Sequence, residues 1–299
     1  MDIKRLMVKL NQIFSQYVGK IMYALFLMSI LETIASLVLL SPLTNLLRGG
    51  AGALAVRAAT FVFAFIVICV WLCFQFGFAV MLLKMTRREY TNLGFLFIGF
   101  RRLNPAGKVI GAFGFVIALL AIAARFIARL IFFKINPDFN FEMPDLTALQ
   151  DSERLSENAE IISSAASDTL TFILIFLGVL FVLSLVVLIR FVFVFQLHFD
   201  NPSMPVARLF KKSAVMMRKN VFRLIVFALR AGGKPLVIAL VLAVLVNFIP
   251  EKSNSGLSVL NFILDMVYFI NMYTAMIRIY LTVPVLYNEI LNPKLEIEA

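Results

Sequence analysis

Six runs of twenty or more mostly apolar residues decide what this chain can become. They cover 21–40, 58–83, 109–133, 170–195, 221–249 and 257–285. A helix rises about 1.5 Å per residue, so roughly 20 residues cross a hydrocarbon core about 30 Å thick. Every run is long enough. A strand barrel would alternate apolar and polar residues, whereas these runs are apolar on all faces. Composition agrees, with 62% apolar or aromatic residues and 15% charged residues, against roughly 45–50% and about 25% in soluble domains. The expected fold class is all-α integral membrane, with six transmembrane helices. A soluble enzyme, a disulfide scaffold and a disordered chain are all excluded.

The run boundaries carry their own signals. Ser41-Pro42 ends the first run; Arg57 and Lys84 flank the second, and Lys108 and Lys134 the third. The fifth contains Arg230-Ala231-Gly232-Gly233-Lys234-Pro235. Either half of it is too short to span, so one long helix is expected, with Pro235 a cause for a kink. Pro284 lies near the end of the sixth. Two further segments are amphipathic. In 1–20, Ile3, Leu6, Met7, Leu10, Ile13 and Phe14 recur at helical spacing with polar residues between them, the pattern of a helix lying in the interface. After Pro202, Val206, Leu209, Phe210, Ser213, Met216 and Met217 repeat likewise. Ser203 or Asn201 can cap that helix, with Pro202 or Pro205 in its first turn. The expected organisation is an interfacial helix at 1–20, a six-helix domain at 21–290 and a cytoplasmic tail at 291–299. The N-terminus lacks the short apolar core and small-residue cleavage site of a cleaved signal peptide.

Orientation follows from Lys and Arg in the flanks. With the N-terminus inside, the inner segments 1–20, 84–108, 196–223 and 286–299 carry 17 basic residues. The outer segments 41–57, 134–168 and 250–256 carry 5. The net charge of +11 is therefore an inner basic face and not a nucleic-acid footprint. Its expected partners are anionic lipid headgroups, at Arg87, Arg88, Arg101, Arg102, Lys211, Lys212, Arg218 and Lys219. Loop 135–168 has eight acidic residues against Arg154 and reads as solvated, with Ser152–Ala166 able to extend the fourth span as helix. The second and fourth runs each lead through an inner amphipathic stretch into another run, as a parallel repeat would.

Ionisable groups inside spans are the candidate functional residues. Glu32, Asp265, Arg125, Arg129, Arg230 and Lys234 qualify. Burial favours pairing: by depth Glu32 or Asp265 could meet Arg125 or Lys234, and the Arg230–Lys234 stripe could instead be met by a bound anionic headgroup. Gln75, Asn247, Asn261 and Tyr268 are candidate lining groups beside them. Gly107, Gly111, Gly114, Ala118, Ala121, Ala124 and Ala128 predict close helix contact along the third span. Cys69 and Cys73 sit four apart in an apolar run and read as packing residues. The single histidine, His198, rules out a zinc reading, and no metal or cofactor is expected. Zincin, nucleophile-elbow and phosphate-loop motifs are absent.

Asp200-Asn201-Pro202, Ser213, Met217, Asn220, the apolar run from Val221 and the late Tyr287-Asn288-Glu289 resemble an uncharacterised bacterial multi-pass membrane family. That group is akin to the membrane domains of glycerophosphodiester phosphodiesterases. The resemblance covers about 165–290; it departs at Lys219, where a Gly is usual, and at Gly232-Gly233-Lys234. It implies six spans in a bacterial inner membrane and no established activity. The expected function is transport or handling of a small or amphipathic solute or lipid. The alternative is a non-catalytic scaffold or accessory subunit docking a protein partner on its basic cytoplasmic face.

Overall fold

The computed structural model describes residues 3–48, 53–101, 103–135, 155–247 and 255–291. Among the described residues every element is helical. In chain order these are α1 (Ile3–Arg48), α2 (Ala53–Thr86), a 3-10 turn (Leu93–Phe97), α3 (Ile98–Arg101), α4 (Leu103–Ile135), α5 (Leu155–Phe191), α6 (Val194–Asp200), α7 (Val206–Arg218), α8 (Val221–Asn247) and α9 (Ser255–Leu291). Six of them are long and apolar enough to cross a membrane: α1, α2, α4, α5 (continued by α6), α8 and α9. The chain has the build of a multi-pass membrane protein.

Two compact units divide the chain, one made of 1–114 and 189–299, the other of 115–188. In the first, α2 is the central element. Leu72, Cys73, Phe74, Phe76, Phe78, Val80, Met81, Leu82, Leu83 and Met85 are all buried, as a helix apolar on every side must be when protein surrounds it. Glycine sets the closest approaches. A Cβ on Gly77 would run into the Leu96 carbonyl, 2.6 Å from its carbon, and one on Gly99 would sit 2.5 Å from the Cys73 carbonyl oxygen. The chain after α2 is thereby pressed back onto α2, and Phe74 makes edge contacts with Phe97 and Phe100. On α8, a Cβ at Gly232 would meet Ile279 of α9 at 2.7 Å, which fixes where those two helices touch.

In the second unit, Ala118, Ala124, Ala128 and Phe132 are buried, and Phe132 meets Phe172 edge-on at 5.7 Å. Phe115, Ile122, Phe126 and Leu130 of α4 and Leu174, Leu177, Phe181 and Val186 of α5 are exposed. So much contiguous apolar surface is the kind that lipid solvates.

Several sequence expectations shift. No break separates an interfacial 1–20 helix from the first span, and α1 runs on through Ser41-Pro42 to Arg48. The early residues differ from the rest only in face: Leu6 and Leu10 are buried while Lys4 and Arg5 are exposed. The fifth run is one helix with Pro235 inside it, as expected. α5 is extended from Leu155, within the stretch expected to be able to do so; residues 136–154 lie outside the described residues. α7 is not capped by Ser203 or Asn201. Pro205 holds its N-cap position without a side-chain bond, and Asn201 Nδ2 turns back to the Leu197 carbonyl that ends α6. Along α4, Gly107 and Gly111 face open space, whereas Gly114 is 3.3 Å (by a built Cβ) from Cys69 Sγ. The small-residue stripe is thus a contact surface only from Gly114 onward.

Candidate functional site

Among the described residues, the most highly built polar cluster lies where α2, α6 and α9 end. Helix α2 closes with the Arg88 N–H donating to the Met85 carbonyl (3.1 Å) and the Glu89 N–H to the Lys84 carbonyl (3.0 Å). That is the Schellman arrangement, and it puts Arg88 in the left-handed region at φ 58°, where glycine is the usual residue. The reversal separates neighbours: Arg88 is exposed, while Arg87 is half-buried.

Arg87 Nη1 and Nη2 donate to the two carboxylate oxygens of Asp200 at 2.8 and 2.7 Å. Its Nε donates to Asn288 Oδ1 at 3.1 Å. Tyr287, fully buried, donates its hydroxyl to Asp200 Oδ2 at 2.8 Å. Asn288 Nδ2 completes the set by donating to Thr86 Oγ1 at 2.7 Å. The hydrogen bonds to Asp200, foremost among the influences on it, hold the Arg87 guanidinium more firmly protonated than usual. Alongside, Lys9 of α1 pairs with Glu289 at 3.0 Å and Lys84 with Glu89 at 2.7 Å. A planar guanidinium gripping a carboxylate in a fork is the geometry that earns most from an ion pair. Asp200-Asn201 and Tyr287-Asn288, separate stretches in the sequence, meet through Arg87.

Ser213 performs a second joining role. It accepts from the Phe193 N–H at 3.3 Å and donates to the Arg190 carbonyl at 3.0 Å. It thereby satisfies the backbone where α5 gives way to α6, a place where helix continuity leaves such groups without partners. Asn220 does similar work at the start of α8, donating to the Met216 carbonyl at 2.8 Å and accepting from Arg223 Nη1 at 3.3 Å.

Within the candidate spans, the expected acid–base pairs do not form among the described residues. Among the described residues, Glu32, Asp265, Arg230 and Lys234 take part in no ion pair. Glu32 is half-buried, and its Oε1 has no hydrogen-bond partner among the described residues. Asp265 is half-buried. Arg230 and Lys234 are exposed on α8, because the packing face of that helix is the one with Leu224, Phe227, Ala231 and Ala239. Arg125 and Arg129 are exposed on α4, and the Arg129 guanidinium lies 5.3 Å from the Phe133 ring centre. Gln75 is half-buried and Tyr268 stacks edgewise on Phe269. The side chains of Asn247, Asn261 and Arg102 lie outside the described residues.

The charge that does enter the helix packing is Arg278 of α9. It lies in the same apolar run as Asp265 and carries the same signal, a charge inside a span. Pro235 has no N–H, so the carbonyl four residues before it, Ala231, loses its helical partner. Arg278 Nη1 donates to that carbonyl at 3.4 Å. The guanidinium stands 4.7 Å from the ring centre of Phe14 on α1, a cation–π distance. Its Nε is buried without a partner. A cation at the middle of a spanning helix costs about 2.5–3.5 kcal/mol on insertion scales, and one long hydrogen bond and one ring face offset only part of that.

On the amphipathic helix, Leu209, Ser213 and Met217 are buried while Arg208, Lys211, Lys212, Val215, Arg218 and Lys219 are exposed. Arg88 and Arg101 are exposed as well. No group of three or more metal-ligating side chains occurs among the described residues. The chain matches no family model, no curated protein and no solved structure.

Proposed function

We propose that this protein is a multi-pass protein of the bacterial inner membrane, with both termini cytoplasmic, that handles or transports a lipid or another anionic amphiphile. The relation to the membrane domains of glycerophosphodiester phosphodiesterases belongs to the same proposal. The observation that carries the reading is α7. One face of it is buried in the protein, and the other offers Lys211, Lys212, Arg218 and Lys219 around the exposed Val215, with Phe222 exposed just beyond. Cations interspersed with exposed apolar side chains suit a headgroup layer, where aliphatic stems sit in hydrocarbon and charges in the phosphate plane. The Lys and Arg excess on the connecting segments supports the orientation.

Two measurements test this. Native mass spectrometry of the purified protein should show phosphatidylglycerol retained over phosphatidylcholine, and the K211Q/K212Q/R218Q/K219Q variant should retain less. Equal retention of both lipids by the wild type would overturn the reading. For orientation, single cysteines at Val215 and Lys134, both exposed, in a background lacking Cys69 and Cys73 should react with impermeant reagents from opposite sides of the membrane. Reaction of both from one side would refute the assigned topology.

A further inference from the structure

Arg278 has donors to spare. A guanidinium carries five N–H groups; the structure gives this one a single 3.4 Å bond to the Ala231 carbonyl and a ring face, and leaves Nε buried and unpartnered. It stands eleven residues before Glu289 on α9, or about 16 Å along the helix from the Lys9–Glu289 pair. Two further cations lie at the same level of the neighbouring helix. Arg230 and Lys234 flank Ala231 on α8, each within about 5 Å of it along the axis, and both are exposed with no hydrogen bond or ion pair among the described residues. The Gly232–Ile279 contact fixes α8 against α9 at this level. The carboxylates that could neutralise them do not. Asp265 is thirteen residues from Arg278 on the same helix, about 20 Å away by helical rise, and Glu32 of α1 forms no ion pair.

The geometry points to an anion site at this level of α8 and α9, taking the phosphate group of an anionic amphiphile. Phosphate oxygens accept from the free guanidinium donors of Arg278 in the bidentate fashion that arginine favours, and Arg230 and Lys234 close over the same group from α8. Phe14 covers one face of the guanidinium, and the anion approaches in its plane. The inference rests on the reading that the protein takes anionic amphiphiles across or within a bilayer. It adds a second place for the headgroup, inside the spans and separate from α7.

The test starts from the K211Q/K212Q/R218Q/K219Q background, so that α7 no longer contributes. The protein in dodecyl maltoside is titrated with dioleoylphosphatidylglycerol and followed by native mass spectrometry. One tightly held lipid is expected to remain. R230Q/K234Q, which alters only exposed side chains, should weaken it about tenfold or more, the range for losing hydrogen bonds to a charged group. R278K, which keeps the charge and loses the fork, should weaken it too, with its thermal midpoint recorded to show that it folds. A parallel arm adds millimolar inorganic phosphate. Competition would identify a small phosphorylated solute as the natural source, and no competition a lipid headgroup. Retention unchanged in both variants would overturn the inference while leaving the α7 reading standing. Loss of phosphatidylglycerol preference in the wild type itself would overturn that reading and this inference together.

Discussion

Replacing Asp200 by Asn probes the joint between α2, α6 and α9 with almost no change of shape. Asp200 accepts three hydrogen bonds, two from Arg87 and one from the buried Tyr287. The amide removes the negative charge and turns one acceptor oxygen into a donor facing donors. An exposed ion pair would contribute only about 0–1 kcal/mol, and breaking a fully buried one costs about 3–5 kcal/mol. The Arg87 and Asp200 side chains are 27% and 18% exposed, nearer the buried limit. D200N should therefore lower stability by about 2–3 kcal/mol. Y287F removes one donor while Asp200 keeps Arg87, so about 1–2 kcal/mol is expected. Equilibrium unfolding in mixed detergent–SDS micelles gives these values. The decisive reading is the R87Q/D200N double mutant, which should fall short of the sum of its single mutants by about 1–2 kcal/mol. Additive losses, or D200N within about 0.5 kcal/mol of the wild type, would show that the fork is not held in solution and refute the reasoning.

Three further outcomes follow from local geometry. G77A drives a Cβ into the Leu96 carbonyl and should cost about 1–3 kcal/mol, whereas G107A, which meets nothing within 4 Å, should be neutral or gain up to about 1 kcal/mol; the same unfolding assay separates them. S213A strands the buried Phe193 N–H and the Arg190 carbonyl and should cost about 1–3 kcal/mol; faster hydrogen exchange at the Phe193 amide would locate the loss. P235A returns an N–H to the Ala231 carbonyl, so R278Q should cost about 1 kcal/mol less in that background than in the wild type; an unchanged cost would show that the proline-freed carbonyl is not what Arg278 serves.

The spans were legible because length and apolarity act locally, and each helix satisfies its own backbone in lipid. Partnerships were less so. Arg87 and Arg88 are identical in sequence terms, and both were expected on the headgroup face. Only the left-handed turn at Arg88 directs one outward and lets the other reach Asp200, 113 residues along the chain. Asp200 and Tyr287 stood out as motif residues, yet nothing in their spacing says that they share a hydrogen bond. The continuity of α1 is hidden in the sequence for a related reason. An amphipathic stretch followed by an apolar one reads as two elements, but neither Gly19 nor Lys20 interrupts helical geometry, and the change is only in what each turn faces.

The charges inside the long apolar helices show where matching acids to bases goes astray. Arg230 and Lys234 fall mid-run in the sequence, which reads as a need for a carboxylate or a bound anionic headgroup. The face of α8 that packs is marked instead by its small residues, Ala231, Gly232 and Ala239, and the cations stay outside it. Arg278 goes inside without an acid because the protein supplies a different acceptor. A proline in one helix releases a carbonyl, and an arginine on the neighbouring helix takes it up. Both halves are written in the sequence, but they match only once the two helices are placed against each other, at the level set by Gly232 and Ile279. A carbonyl is neutral, so this match satisfies one hydrogen bond and leaves the charge uncompensated. That residue of positive charge, beside two further cations on α8, separates this place from an ordinary helix contact and makes a phosphate its natural complement.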